Sequence, residues 1–416
     1  EQFTTDLESE SKQVDLLAPN FTKQGHGFVG WSEDKDAWDK LTDDDESNDS
    51  VIYGPNQTIA VNPSASARLI LYAVWAPAET TVSGNYVTLQ EWQGCSALTP
   101  TTYDSDTNAL KIGKNTITAL TDGRDGNIYT VARLSDGNCW MTENLRLDAE
   151  NTTSDANKLL AQGYGDDTAN NRGKFIGLAD SENSNFTVSI SSATDPTNAN
   201  SLYYAGTQSG TATMNIGQIN YAGSRIPRYN NNNTNRTLGA SYNGTGSSTY
   251  YQWYAYGNYY NWPAAMASTS SLTDYSASES ANTSLCPTGW RLPTGGDKTR
   301  IEADHNNEFW NLIVVNLNNN TLPANYDSGS TPYYNGSTEA GPVDKLVRTF
   351  PNNFVCSGFF STASAYGRGS GGYYWSSSVS SSSNAYGLHF DLTSVNPGTD
   401  PNPKYGGRTV RCLLSS

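Results

Sequence analysis

The sequence predicts a mainly β protein with few helices, α+β at most, and rich in loops. Three observations carry this. Short aromatic and β-branched runs recur between clusters of Gly, Pro, Asn and Asp, the pattern of strands closed by turns. Apolar residues at helical spacing are sustained over one stretch only, about Asp297 to Asn316. The polar remainder is neutral: charged residues are 16% of 416, beside 26 Tyr, 10 Trp and 37 Gly, whereas an average domain has roughly 25% charged residues.

The same arithmetic excludes several functions. Lys+Arg is 25 and Asp+Glu 41, giving a net charge of −16. An acidic chain without a basic patch is not expected to bind nucleic acid, because cationic contacts to phosphate dominate that affinity. No apolar run approaches the roughly 20 residues of a membrane-crossing helix. Three His argue against a multi-histidine metal site. The five cysteines, Cys95, Cys139, Cys286, Cys356 and Cys412, contain no CxxC, so zinc ribbons and thioredoxin-like motifs are absent. Wide spacing in a Ser/Thr/Asn-rich chain predicts disulfides and an extracellular or cell-surface location. The chain starts at Glu1 without Met, and the expectation is a processed chain whose signal or anchor has been removed.

The length predicts two or three domains. Residues 1–76 form the first segment, with Gly25-His26-Gly27-Phe28-Val29-Gly30-Trp31, an acidic loop from Glu33 to Asp49, and Leu69-Ile70-Leu71-Tyr72-Ala73-Val74-Trp75. Phe28 and Trp31 are expected core residues between glycine turns. Residues 77–85 are small and polar and are expected to be a linker. Residues 86–416 read as one large loop-rich domain with a long Asn/Ser/Tyr/Gly-rich insertion around 150–285. Its first signature runs from Leu120 to Leu145. There Ile128-Tyr129-Thr130-Val131 alternates as a strand, Asp125-Gly126 and Asp136-Gly137 supply turns, and Trp140 is expected to be buried. Its second signature is Cys286-Pro287-Thr288-Gly289-Trp290-Arg291-Leu292-Pro293-Thr294, followed by the helix candidate with Thr294 as N-cap and Ile301, His305, Phe309, Leu312 and Ile313 on one face. Pro263 to Ala267 reads as a single helical turn. The C-terminal strands are Tyr373-Tyr374-Trp375-Ser376-Ser377-Ser378, Ala385 to Phe390, and Gly407 to Leu413.

The G-F-x-G-W and L-Y-A-V-W pieces resemble the Listeria–Bacteroides repeat of the internalin B type, which implies a small β-grasp-like stalk module of extracellular bacterial proteins. The set D-G-N-x-Y-T-V, G-N-C-W-M-T-E-N-L, C-P-x-G-W-R-L-P-T, Y-Y-W-S-S-S and V-R-C is similar to the Fibrobacter succinogenes major paralogous domain across 86–416. That resemblance implies a C-type-lectin-like fold, related to formylglycine-generating-enzyme-like domains and to the variable proteins of diversity-generating retroelements. The long insertion and Cys356 depart from the pattern. On this scaffold Trp140, Trp290 and Trp375 would each bury a large area while the indole N–H finds a carbonyl. Cys286–Cys412 would tie the helix entrance to the last strand, and Cys95–Cys139 the domain's start to its first meander, leaving Cys356 unpaired.

The expected function is binding: a cell-surface or secreted adhesion protein displaying loops for a protein or glycan ligand on another cell surface. The candidate contact residues are Tyr373, Tyr374, Ser380, Ser382, Asn384, Tyr386, His389, Asn396, Asn402 and Tyr405. Tyr supplies rigid amphipathic area, and Ser and Asn supply adaptable hydrogen bonds. The same residue types also fill solvated loops. Asn, Ser and Tyr are also what adenine-directed diversification by a retroelement yields. A structural subunit of a surface filament or layer is the alternative. An enzyme is not expected: formylglycine-type chemistry needs a paired cysteine arrangement, and no motif couples Asp125, Glu143, Asp297 or Glu302. No cofactor is expected. Calcium enters only through the lectin-like resemblance, and Asp104 to Asn108 and Asp122 to Asn127 read as turns, the former lacking the glycine of a calcium loop.

Overall fold

The computed structural model describes residues 2–3, 12–16, 23–42, most of 51–61, 69–104, most of 109–146, the pair 185–190 and 210–215, parts of 257–266 and 284–296, 307–316, 333–334, 347–361, and most of 364–415. The insertion around 150–285 and His305 therefore lie largely or wholly outside the described residues. What is described is mainly β, as the alternating runs predict.

The first segment holds β1 (Gln2–Phe3), β2 (Lys12–Asp15), β3 (His26–Ser32), the short helix α1 (Ala37–Thr42), β4 (Thr58–Val61) and β5 (Leu71–Pro77). They pair as β1-β5-β3 and β2-β4. The β3–β5 register slips between Phe28 and Gly30. The extra residue of this bulge puts Phe28 and Trp31 on one face despite their odd spacing. Phe28 meets Trp31 and Trp75 edge-on at 5.6 and 5.5 Å, in a cluster with Leu16, Ile59 and Leu71. Of the acidic loop, Ala37–Thr42 forms α1, next to which the Asp34 carboxylate accepts the Asp36 N–H (2.9 Å) and pairs with Lys40 (2.5 Å), and residues 43–49 lie outside the described residues.

The other face of this segment does not meet solvent. Val29, Ala37, Ile52, Val74 and Ala76 join Ile117, Ala119, Ala132, Trp140, Phe309 and Phe354 in one apolar cluster. Residues 77–85, expected as a linker, run beside the larger unit. Ala78 bridges Ala119 in parallel, and Glu79 N donates to Ala119 O at 2.9 Å. A strand that is apolar on both faces needs a second layer, and the larger unit, the head (residues 86–416), supplies it.

The head continues with β6 (Thr102–Asp104), β7 (Ala109–Lys111), β8 (Ile117–Thr121), β9 (Ile128–Arg133) and β10 (Cys139–Met141). Next come β11 (Asn185–Ile190), β12 (Gly210–Asn215), α2 (Trp262–Ala265), β13 (Trp290–Arg291), α3 (Glu308–Trp310) and β14 (Tyr333–Tyr334). The last are β15 (Phe359–Ser361), β16 (Ser364–Tyr366), β17 (Gly371–Val379), β18 (Asn384–Asp391), β19 (Ser394–Pro403) and β20 (Leu413–Leu414). The expected meander is β8-β9-β10, with Gly126 and Gly137 at φ +78° and +81° in its turns. The C-terminal β20 enters beside β10 and carries β13, giving the sheet β13-β20-β10-β9-β8. The two signature regions thus meet across the last strand. A second sheet runs β14-β19-β18-β17.

Both expected disulfides are formed, Cys95–Cys139 and Cys286–Cys412, and Cys356 is buried and unbridged. The tryptophans behave as anchors, with one difference. Trp290 and Trp375 donate to the carbonyls of Leu89 and Tyr260 (both 2.8 Å), but Trp140 donates to the carboxylate of Asp136 (3.0 Å). The helix candidate is corrected at its start. The N-cap is Asn307, whose side chain accepts the Trp310 N–H at 2.9 Å, and a π-helical turn Asn311–Asn316 follows α3. Thr294 still receives the Glu308 N–H on its hydroxyl at 3.1 Å, from outside the helix. Phe309, Leu312 and Ile313 enter the core as expected.

Candidate functional site

The site is built on β17, β18 and β19. Successive side chains of a strand point to opposite faces. On β17 and β18, Tyr374 and Leu388 turn inward and are fully buried, while Tyr373 and His389 turn outward and are half-buried. Pairing aligns Tyr373 with His389, and His389 with Asn396. One cross-strand row therefore presents Tyr373, His389 and Asn396. The Tyr373 and His389 rings stack at 4.2 Å with 14° between planes, a geometry that fixes both rings beyond their area burial.

The remaining expected contact residues divide. Asn384 and Tyr386 lie further along β18, half-buried, opposite Pro403 and Pro401. Ser380 is half-buried in the β17–β18 turn, where its N–H donates to Asn384 O. Ser382 and Tyr405 lie outside the described residues. Tyr374 is corrected: its hydroxyl donates to Val355 O (2.9 Å) and accepts from Val355 N (2.8 Å) inside the core, so it is closed to any ligand. Asn402 is also buried. Its Nδ2 donates to the carbonyl and carboxylate of Asp400 (2.7 and 2.9 Å), and its Oδ1 accepts from Arg408.

Sequence reasoning missed Arg408, Asp400 and Phe359. The Arg408 guanidinium lies 5.0 Å from the ring centres of Tyr373 and Trp375 and 5.7 Å from Phe359, and Phe359 packs on Tyr373 at 4.8 Å. The available signal was scarcity: a basic residue in a short alternating strand of a chain with only 25 cations. Burial brings the Arg408 pKa down to about 10, partly opposed by the nearby Asp400, and the group stays cationic at neutral pH. Burial also lowers His389, with Asp400 pulling the other way, so the imidazole is favoured in its neutral form. Burial raises Tyr373, which Arg408 opposes. The face thus combines a stacked aromatic pair with a buried cation beneath it.

The acid–base candidates are placed differently. Glu143 accepts from Thr130 N (2.8 Å) and pairs with Arg146 (3.0 Å), and Asp125, Asp297 and Glu302 lie outside the described residues. Of the calcium candidates, residues 105–108 lie outside the described residues. Asp122 sits in a turn, and its carboxylate is taken up by Arg124 at 2.6 Å. Burial alone would raise Asp122, but Arg124 and Gln90 together hold it below the ordinary carboxylate value. Among the described residues no three His, Cys, Asp or Glu side chains gather as metal ligands, and no helix is long and apolar enough to cross a membrane.

No family model matches the chain, and no curated protein and no solved structure is significantly similar to it.

Proposed function

We propose that this is an extracellular surface-binding protein, in which a disulfide-held, lectin-like β scaffold presents a recognition face to a protein or glycan ligand. The observation that carries the reading is the Tyr373–His389–Asn396 row, side chains of recognition type turned outward from a sheet whose opposite face is core. The two disulfides support an oxidising location. Rigid strands beneath adaptable side chains lower the entropy lost on binding.

The test is a glycan array and a cell-surface binding assay with the intact protein, with and without chelator. Binding is expected to fall at least about tenfold, or 1.4 kcal/mol, in His389→Ala. A ligand that binds His389→Ala and Tyr373→Ala as well as the parent would move the site elsewhere. Loss of binding with chelator would bring calcium into the reading. Retroelement diversification has its own check: a template repeat and reverse-transcriptase gene beside the coding sequence, with adenine-dependent differences falling on the outward positions.

A further inference from the structure

Arg408 differs from other buried arginines of the head in what answers its charge. Arg124 is paired with Asp122 and Arg146 with Glu143. Arg411 donates to Asn144 Oδ1 and to the carbonyls of Met141, Asn352 and Asn353. Arg408 is 6% exposed. Its Nη2 donates to Asn402 Oδ1, while Nε and Nη1 meet no acceptor among the described residues. Asp400, the acid whose charge acts on it, gives its carboxylate to Asn402 and makes no ion pair with Arg408 among the described residues. The rings of Phe359, Tyr373 and Trp375 soften the buried charge but cannot accept its N–H groups as an oxygen would. A buried cation with open donors is costly unless an anion completes it.

The ring that covers Arg408 is that of Tyr373. Tyr373 is half-buried, and its hydroxyl makes no hydrogen bond among the described residues. Packing on His389, Phe359 and Arg408 holds it in place. Were this ring to turn, Arg408 would open toward the strand row carrying His389 and Asn396, and the His389 ring would be freed for stacking.

We propose that Arg408 receives the carboxylate of an acidic saccharide, with Tyr373 as its cover and His389 as the stacking surface. This rests on the binding role proposed above and narrows the ligand to a sialic- or uronic-acid type. Guanidinium–carboxylate bonds are charge-assisted and directional, so the acid is preferred over any neutral analogue.

The intact protein is titrated by calorimetry and saturation-transfer NMR with methyl N-acetylneuraminide, methyl glucuronide, the methyl ester of each, and a glutamate-rich peptide. At least one acid binds, its ester binds about tenfold more weakly or worse, and Arg408→Lys loses about tenfold although the charge is kept. The two acids separate the sialic from the uronic source. Equal binding of acid and ester overturns the proposal on the unaltered protein, whether or not Arg408→Lys folds. Unchanged affinity in a folded Arg408→Lys also overturns it, as does a response to the peptide alone. A neutral saccharide whose binding needs His389 but not Arg408 overturns this inference and leaves the binding role standing. Silence of every saccharide and protein partner overturns both.

Discussion

Asp136 precedes Gly137 in the turn between β9 and β10, and its carboxyl group accepts from Asn138 N, Asn138 Nδ2 and the Trp140 indole, each at 3.0 Å. Burial nevertheless pushes its pKa up to about 6, against those hydrogen bonds, with Glu308 adding to the rise. In the unfolded chain the value is about 3.9. The folded state therefore holds this proton more tightly. Its contribution to stability is complete below about pH 4 and is lost as pH rises through about 6, on the order of 2 kcal/mol after allowing for partial exposure. Asp136→Asn keeps an oxygen for Trp140 and removes the charge. The difference in unfolding free energy between variant and parent is expected to shift in the variant's favour from pH 4 to 7, read by urea denaturation at several pH values. Parallel curves would sink the assignment. Residues of this kind were only half legible. Tryptophan beside glycine announced burial of Trp140, but nothing in the spacing said that a carboxylate rather than a carbonyl would meet its N–H. Tyr373 and Tyr374 are neighbours of one type. Alternation says they face opposite ways, and only the pairing with β18 decides which faces out.

At the scale of elements, periodicity was the better guide to content than to limits. The spacing of Phe309, Leu312 and Ile313 found a helical stretch and its buried face. It could not find the first residue, because apolar spacing is blind to which side chain captures the free N–H groups of the first turn. Asn307 does so for Trp310, and its Nδ2 donates to Pro397 O at 3.1 Å, tying the helix start to β19. Loss of the cap in Asn307→Ala is expected to cost about 1–2 kcal/mol, and Asn307→Asp, which keeps the acceptor but not the donor, less. Denaturant midpoints at constant slope measure both. An alanine variant as stable as the parent would show that the turn is held by packing alone. The strands were legible for the opposite reason: a period of two is set by the backbone, and turn residues such as those in Asp136-Gly137 mark their ends. The outward row was legible in its residue types, since Tyr373, His389 and Asn396 were all singled out, but Tyr374 was not told apart from Tyr373. Arg408 was not legible, since its meaning depends on three aromatic side chains from two strands distant in sequence, β15 and β17.

In the whole molecule, covalent and apolar links join distant parts of the chain. Cys286–Cys412 and Cys95–Cys139 close separations of 126 and 44 residues, worth about 5 and 4 kcal/mol in the chain-entropy model. The apolar cluster reaches further still, from Val29 and Val74 through Ala119 and Ala132 to Phe354 and Phe390. The seam between the first segment and the head is tight at Gly27, where a Cβ would lie 2.8 Å from Thr130 Cγ2 and 3.1 Å from Ala119 Cβ. Thr130 Oγ1 also donates to Phe28 O across it at 3.3 Å. A side chain at position 27 must push the two layers apart, and Gly27→Val is expected to cost about 2–3 kcal/mol by overpacking. How that cost appears depends on whether the layers unfold together. A shared core makes them one cooperative unit, so calorimetry should show a single transition moved to lower temperature, with near-ultraviolet dichroism and fluorescence tracking it. Two separate transitions in the parent, with Gly27→Val shifting only the lower one, would mean that the first segment is a domain folding on its own and merely resting on the head.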